Sequence, residues 1–235
     1  MITLGSEQQL PYWLAVGTFL RGWALTEQGQ EAEGIAQMRQ GLVAYRAVGT
    51  EQGRPHLLAL LAEAHGKVGQ AEEGLTALVE ALARVEKSGE RFYEAELYRL
   101  KGTLTLQKFQ VSSSKFQVQG SPASEVRSPE SEAEECFLRA IAIARKQQAK
   151  SLELRAVMNL ARLWRQQGKT EEARQMLAEI YGWFTEGFDT ADLKDAKALL
   201  EELVGKVSPM SGKNHEKTKR RSGERGKRRK REPKK

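Results

Sequence analysis

Cysteine is almost absent from this chain: Cys136 is the only one in 235 residues. One cysteine excludes an internal disulfide and any cysteine-based metal site. Histidine is scarce as well, and His56, His65 and His215 lie far apart with no ligand-like spacing. Aromatic residues make up only 7%. No run of about 18 apolar residues occurs, so no membrane-spanning helix is expected. The opening MITLGSEQQLPYW lacks the basic-then-apolar order of a secretory signal. Together these absences point to a reducing, cytoplasmic setting. The patterns G-x4-G-K-S/T, G-x-G-x2-G and H-E-x2-H are missing, and no paired-carboxylate site stands out. The expectation is therefore a non-enzyme, with no cofactor and no metal. Cys136, in AEECFLRAIAIA beside Phe137, reads as a buried structural thiol rather than a nucleophile.

Charge is unevenly distributed. The formal net charge is +7. Residues 206–235 hold 14 Lys/Arg and 3 Asp/Glu, a balance of +11, while the rest hold 24 and 28, a balance of −4. A mildly acidic body therefore carries a short basic tail, SGKNHEKTKRRSGERGKRRKREPKK, whose composition predicts disorder. Its basic clusters, Lys219, Arg220 and Arg221, then Lys227, Arg228, Arg229, Lys230 and Arg231, suit phosphate contacts with nucleic acid. No aromatic accompanies them, so base stacking is unsupported, and a merely solvating tail is the other reading.

What the body does contain is a repeat. Leu20, Gly22, Gly29, Gly34, Met38, Gly41 and Leu42 recur forty residues later as Leu60, Ala62, Gly69, Gly74, Leu78, Ala81 and Leu82. Leu100 and Gly102 open a third copy, which resumes as Ala133, Phe137, Ala140 and Ile141. The fourth reads Ala161, Trp164, Gly168, Ala173, Leu177, Ile180 and Tyr181. A small residue mid-helix lets a neighbouring helix approach, and apolar residues three or four later share its face. Gly29, Gly69 and Gly168 fall where a helix must stop. The spacing predicts helices near 8–28, 31–47, 54–67, 71–88, 91–107, 131–148, 151–167, 170–184 and 190–204. Paired in order, they make four antiparallel hairpins and one terminal helix. Thr190 and Asp192 offer N-caps for the last. Its stripe Leu193, Ala196, Leu199, Leu200 and Leu203 suits a helix that closes the final hydrophobic edge.

This pattern resembles the tetratricopeptide repeat, W-x2-L-G-x2-Y followed by A-x3-F-x2-A. The versions here are L-x-G-x2-L with G-x3-M-x2-G, A-x2-H with G-x3-L-x2-A, G-x2-T with A-x3-F-x2-A, and L-A-x2-W with A-x3-L-x2-I. The first-helix aromatic survives only as Trp164, the closing proline is missing, and the period is 40 rather than 34. A generic array of helical hairpins is the plainer alternative. The resemblance implies an all-α fold, a right-handed alpha-alpha superhelix over residues 1–205, that binds another protein. Within it, residues 148–203 are similar to the C-terminal end of large bacterial signalling proteins. Those join a class III adenylate or guanylate cyclase domain, or another effector, to an AAA-type ATPase module. GWFTEGFDTADLKDAKALLEEL carries most of that likeness, and ELYRLKG at 96–102 fits it. It covers about residues 10–205 and implies a scaffold or regulatory segment. ATPase and cyclase residues are absent, so neither activity transfers.

In the third copy Gly102 and Ala133 are 31 residues apart, where the other copies have 12. The extra 19 include KFQV twice, at Lys108–Val111 and Lys115–Val118, then a Ser, Pro and Gly run. This predicts a disordered loop over 107–130 inside the third hairpin. Loop-closure cost grows logarithmically, so such an insertion costs only about 1 kcal/mol. Each KFQV is too short to be a stable strand alone. A tandem duplication in a permissive loop, or a docking peptide, are the two readings.

Candidate binding residues come from the concave face expected of such a stack. On LELRAVMNLARLWRQQ, Val157, Leu160, Ala161 and Trp164 make the expected buried face. Arg155, Met158, Arg162 and Arg165 fall on the opposite one, with Asn159 beside them and Arg99 and Lys101 adding charge from the third hairpin. Three arginines in a row suit a carboxylate or an acidic peptide. A solvated helix face is the alternative. Some tetratricopeptide domains clamp a partner's C-terminal carboxylate; Arg99 and Asn159 match part of such a clamp and the rest is missing. Phe19 and Trp23, after Tyr12 and Trp13, are either partner-binding aromatics or packing for a preceding repeat. His65 holds an aromatic position of its hairpin and reads as packing.

Overall fold

The computed structural model describes residues 10–115 and 128–205, with the side chains of 112–115 left aside. Among the described residues there are nine α-helices and no strand. They are α1 Pro11–Glu27, α2 Glu31–Ala47, α3 Arg54–Lys67, α4 Ala71–Ser88, α5 Glu94–Lys115, α6 Pro129–Lys146, α7 Lys150–Gln166, α8 Thr170–Tyr181 and α9 Ala191–Gly205. Consecutive helices pack as hairpins α1/α2, α3/α4, α5/α6 and α7/α8, and α9 lies against α7 and α8.

The forty-residue landmarks mark where paired helices touch. A methyl group on Gly22 would sit 2.6 Å from the Gly34 carbonyl oxygen, and one on Gly34 would sit 2.6 Å from that of Gly22. Gly74 faces the Ala62 carbonyl in the same way, and Gly102 lies under the Phe137 ring. Ala161 and Ala173 are both buried at the fourth crossing. The turns follow from Gly29, Gly69 and Gly168, whose φ angles of +81°, +76° and +83° are left-handed. Only glycine adopts that conformation cheaply.

The core divides in two. Phe19, Met38, Leu58, Leu78 and Leu97 belong to one cluster, spanning α1 to α5. Phe137, Leu154, Leu160, Leu177 and Leu203 belong to the other, reaching α9. Helix α5 serves both: Leu97, Leu100 and Leu104 enter the first cluster, while Tyr98 and Leu106 pack on the second. A stripe of Leu193, Ala196, Leu199 and Leu203 buries α9. Its other side carries Lys194, Lys197 and Glu201, which are exposed. Thr190 does not act through its hydroxyl as a cap; that hydroxyl donates to the Gly187 carbonyl at 2.7 Å.

The third hairpin departs from the expected loop. Helix α5 runs through the first KFQV copy as far as Lys115, so residues 107–115 are helical. Nothing in LQKFQV breaks a helix, and Lys108 Nζ reaches the Glu72 carboxylate at 3.1 Å. The return helix starts at Pro129, with the Ser128 hydroxyl accepting the Ser131 N–H at 3.2 Å. Residues 116–127, holding most of the second KFQV copy, lie outside the described residues, as do the tail 206–235 and its clusters from Lys219 to Arg231.

Candidate functional site

The first helices of the four hairpins, with α9, enclose a cavity of about 380 Å³. Helix α1 contributes Trp23 and Glu27, and α3 contributes Leu60, Glu63 and Lys67. Opposite them stand Arg99 of α5 and Arg155, Met158, Asn159 and Arg162 of α7. Asp192 and Asp195 of α9 complete the wall. Six of the eight protein-binding residues expected from sequence therefore meet in one cavity.

The other two do not line it. Phe19 is completely buried, packed where Gly41 meets its backbone, so it belongs to the core. Phe19 and Trp23, four residues apart, lie only about 40° apart around α1; Phe19 sits against α2 while Trp23 stands at the exposed margin of the same side. Arg165 is tied to Glu202 of α9, away from the cavity. Met158 reaches the cavity edge but is only 4% exposed, a floor rather than a projecting contact. Trp164 is half-buried, its indole N–H donating to Glu134 at 2.8 Å.

Most of the charges are already matched. Lys67, Arg99, Arg155 and Arg162 face four lining carboxylates, Glu27, Glu63, Asp192 and Asp195. Lys67 is paired with Glu27. Arg99 holds the buried Glu96 through two hydrogen bonds of 2.9 and 2.7 Å. Arg155 Nε donates to Asp192 Oδ2 at 2.7 Å and its Nη1 lies 3.8 Å from Glu96. Burial pulls the Arg155 guanidinium down, but the Asp192 hydrogen bond and the Asp192, Glu96 and Glu63 charges outweigh it and leave its pKa above the ordinary value.

Arg162 is the exception. Among the described residues it has no ion pair, unlike Arg155 and Arg165 on the same helix. Its Nη1 donates to Asn159 Oδ1 at 3.3 Å, and Asn159 Nδ2 donates to Thr103 Oγ1 at 2.7 Å. The residue is exposed, and partial desolvation against the wall draws its pKa below the ordinary value, with the Asp195 charge opposing. Helix register explains the omission. Arg155 pairs with Asp192 and Arg165 with Glu202, both 37 residues on, so α7 and α9 run parallel in step. The same offset puts Leu199 level with Arg162, and Leu199 is buried in the core.

Two residues with chemical potential elsewhere are held by packing. Cys136 is buried, which pushes its thiol up. His65 is 2% exposed between Gln70 Oε1 at 2.7 Å and Arg39 Nη2 at 3.3 Å. Among the described residues no group of His, Cys, Asp or Glu is placed to hold a metal ion. None of the described helices is long and apolar enough to cross a membrane.

Sequence reasoning missed Leu60, Glu63, Lys67, Glu27 and both α9 aspartates. The forty-residue shift carries the signal for three of them, because it maps Leu20, Trp23 and Glu27 onto Leu60, Glu63 and Lys67. Asp192 and Asp195 carry no such signal, since only the docking of α9 brings them in.

Solved structures with the same arrangement exist. A putative kinesin light chain from Podosopora anserina, with nearly identical TPR-like repeats, matches with a TM-score of 0.57 and 19% identity. The match covers 83% of this chain and 87% of that one. A point variant of that protein matches with a TM-score of 0.58 and 18% identity, covering 83% and 86%. This chain has the fold of a tetratricopeptide-like repeat solenoid. No family model and no curated protein matches it.

Proposed function

We propose that this solenoid is a non-catalytic protein-binding scaffold whose concave cavity holds an extended peptide segment of a partner. The observation that carries this is Arg162: a cation lining the cavity that makes no ion pair among the described residues. A guanidinium has five donors in a fixed fork that matches a carboxylate. Trp23, 38% exposed, and Leu60 offer apolar surface in the same cavity. The ligand that fits is a segment with one carboxylate near an apolar or aromatic side chain. This narrows the acidic-peptide expectation, because the lining charges balance. Twelve-residue peptides displayed on phage and selected on the full chain test it. Recovered peptides are expected to combine an acidic with an apolar residue and to lose at least tenfold in affinity on Arg162→Ala, or on Trp23→Ala. Equal binding to both variants overturns the reading.

The finer reading is that the scaffold serves a bacterial signalling assembly, recruiting a partner to an ATPase or cyclase module in the cytoplasm. What supports it is the likeness of residues 148–203, centred on GWFTEGFDTADLKDAKALLEEL. An ATPase or cyclase domain encoded immediately upstream is the expected finding, and an unrelated gene there removes the support.

A second reading rests on the tail, whose balance of +11 is segregated from a body of −4. It expects binding to random duplex DNA that weakens steeply with salt and disappears when residues 206–235 are removed. Binding that survives the deletion counts against it.

A further inference from the structure

We propose that Asp192 of α9 is a specificity determinant that restricts the cavity to ligands bearing a single carboxylate. The inference rests on the peptide-binding reading above. Two cationic places face the cavity from α7, and they are not equivalent. At the first, Arg155 donates to Asp192 at 2.7 Å and lies 3.8 Å from the Glu96 carboxylate. At the second, Arg162 makes no ion pair among the described residues; it donates to the Asn159 amide oxygen at 3.3 Å, with the Asp195 charge acting on it from α9.

A carboxylate arriving at Arg155 therefore meets a site already filled by the chain itself. It must displace Asp192 or lie beside it, and Glu63 lines the same cavity. Arg155 and Asp192 are both partly exposed, so the discrimination comes from like charges competing for one guanidinium, and repulsion of the wrong partner sets specificity as much as attraction of the right one. A second acidic residue in the ligand is thus rejected, while one carboxylate at Arg162 is accepted. The position of α9 does not depend on Asp192. Leu193, Ala196, Leu199 and Leu203 are 0–4% exposed and anchor the helix without it. Neutralising Asp192 should leave α9 in place and open the Arg155 site.

The test uses the full chain, an Asp192→Asn variant and a Glu202→Gln control. Glu202 makes the same kind of pair with Arg165 but does not line the cavity. A fluorescent peptide recovered by display on the unmodified chain is compared with a copy carrying one additional Glu beside its acidic residue. The added Glu is expected to weaken binding at least fivefold on the unmodified chain and on Glu202→Gln. On Asp192→Asn the loss should fall below twofold, with the melting temperature of the variant checked in parallel. An equal loss on both proteins overturns the inference, and so does tighter binding of the diacidic peptide to the unmodified chain. Arg162→Ala tests the underlying reading separately. If that variant binds both peptides normally, the cavity reading fails and this inference falls with it.

Discussion

Replacing Gly22 by alanine sets repeat equivalence against geometry. The residue forty positions later is Ala62, so the pattern alone treats the change as harmless. Helix propensity even favours it, by about 1 kcal/mol. Geometry says otherwise. The new Cβ would lie 2.6 Å from the Gly34 carbonyl oxygen and 2.6 Å from the Met38 nitrogen, where ordinary contact begins at 3.4 Å. Both opposing atoms are backbone and cannot rotate aside, so α1 and α2 must separate. Overpacking of this kind costs about 1–3 kcal/mol, and a clash with backbone falls in the upper part of that range. Set against the propensity gain, the net loss is about 1–2 kcal/mol. At about 2–4 °C per kcal/mol for a chain of this size, the melting temperature should fall by about 2–8 °C. Hairpin α3/α4 shows why Ala62 is allowed: a Cβ on Gly74 meets the Ala62 carbonyl at 3.0 Å, a wider crossing than the 2.6 Å between Gly34 and Gly22. Circular dichroism melting gives the global value, and hydrogen exchange should show the loss concentrated in α1 and α2, because a solenoid transmits strain mainly to neighbours. Neutral or raised stability in Gly22→Ala would show that the close approach is not real.

Gln148 has a φ of 56° at the α6 to α7 turn, where six other described turns between helices use a positive-φ glycine. Gln148→Gly should therefore gain about 0.5–1 kcal/mol in urea unfolding, despite glycine's larger unfolded-state entropy; a loss of stability contradicts the strain. Burial lowers the pKa of His65 below 6.5, so between the folded value and 6.5 the unfolded chain binds more protons. Stability should then be full above pH 6.5 and decline as pH falls below it. Because His56 shifts the same way, His65→Gln should flatten the decline only in part, and an unchanged pH profile argues against the assignment. The Cys136 thiol, buried and pushed up, should resist iodoacetamide in the native protein and react readily in denaturant; rapid native alkylation would contradict its burial.

The periodic part of the molecule is visible in the sequence because a packed hairpin repeats its small residues. Gly22 with Gly34, Ala62 with Gly74 and Ala161 with Ala173 are each twelve apart, and each pair marks a helix crossing. The tightness of each crossing is not visible, since Gly22 and Ala62 hold the same place in the period at different spacings. Phe19 shows another limit. Its stretch is apolar on nearly all sides, so periodicity does not say which aromatic turns inward. The arginine row of α7 was legible as a row. Its pairing was not, because it depends on the register of α9, an element outside the repeat. The first KFQV copy read as loop because its duplicate runs into Ser, Pro and Gly, yet a helix continues until something stops it.

Helix length separates the insertion from the cavity. Arg99 is the α5 residue that lines the cavity, and α5 ends sixteen residues later at Lys115. At 1.5 Å rise per residue that is about 24 Å along the axis. Gly102, Leu104 and Leu106 fix α5 against α6 and both core clusters within the first half of that distance. The chain beyond Lys115 is therefore joined to a helix whose position is already determined. A hairpin can accept 19 extra residues on these terms, part of them as added helix. Its inner face is set by contacts near the helix start, whereas the connection only has to return the chain to Ser128. Selection on the cavity and drift in the connecting segment can then proceed independently within one repeat.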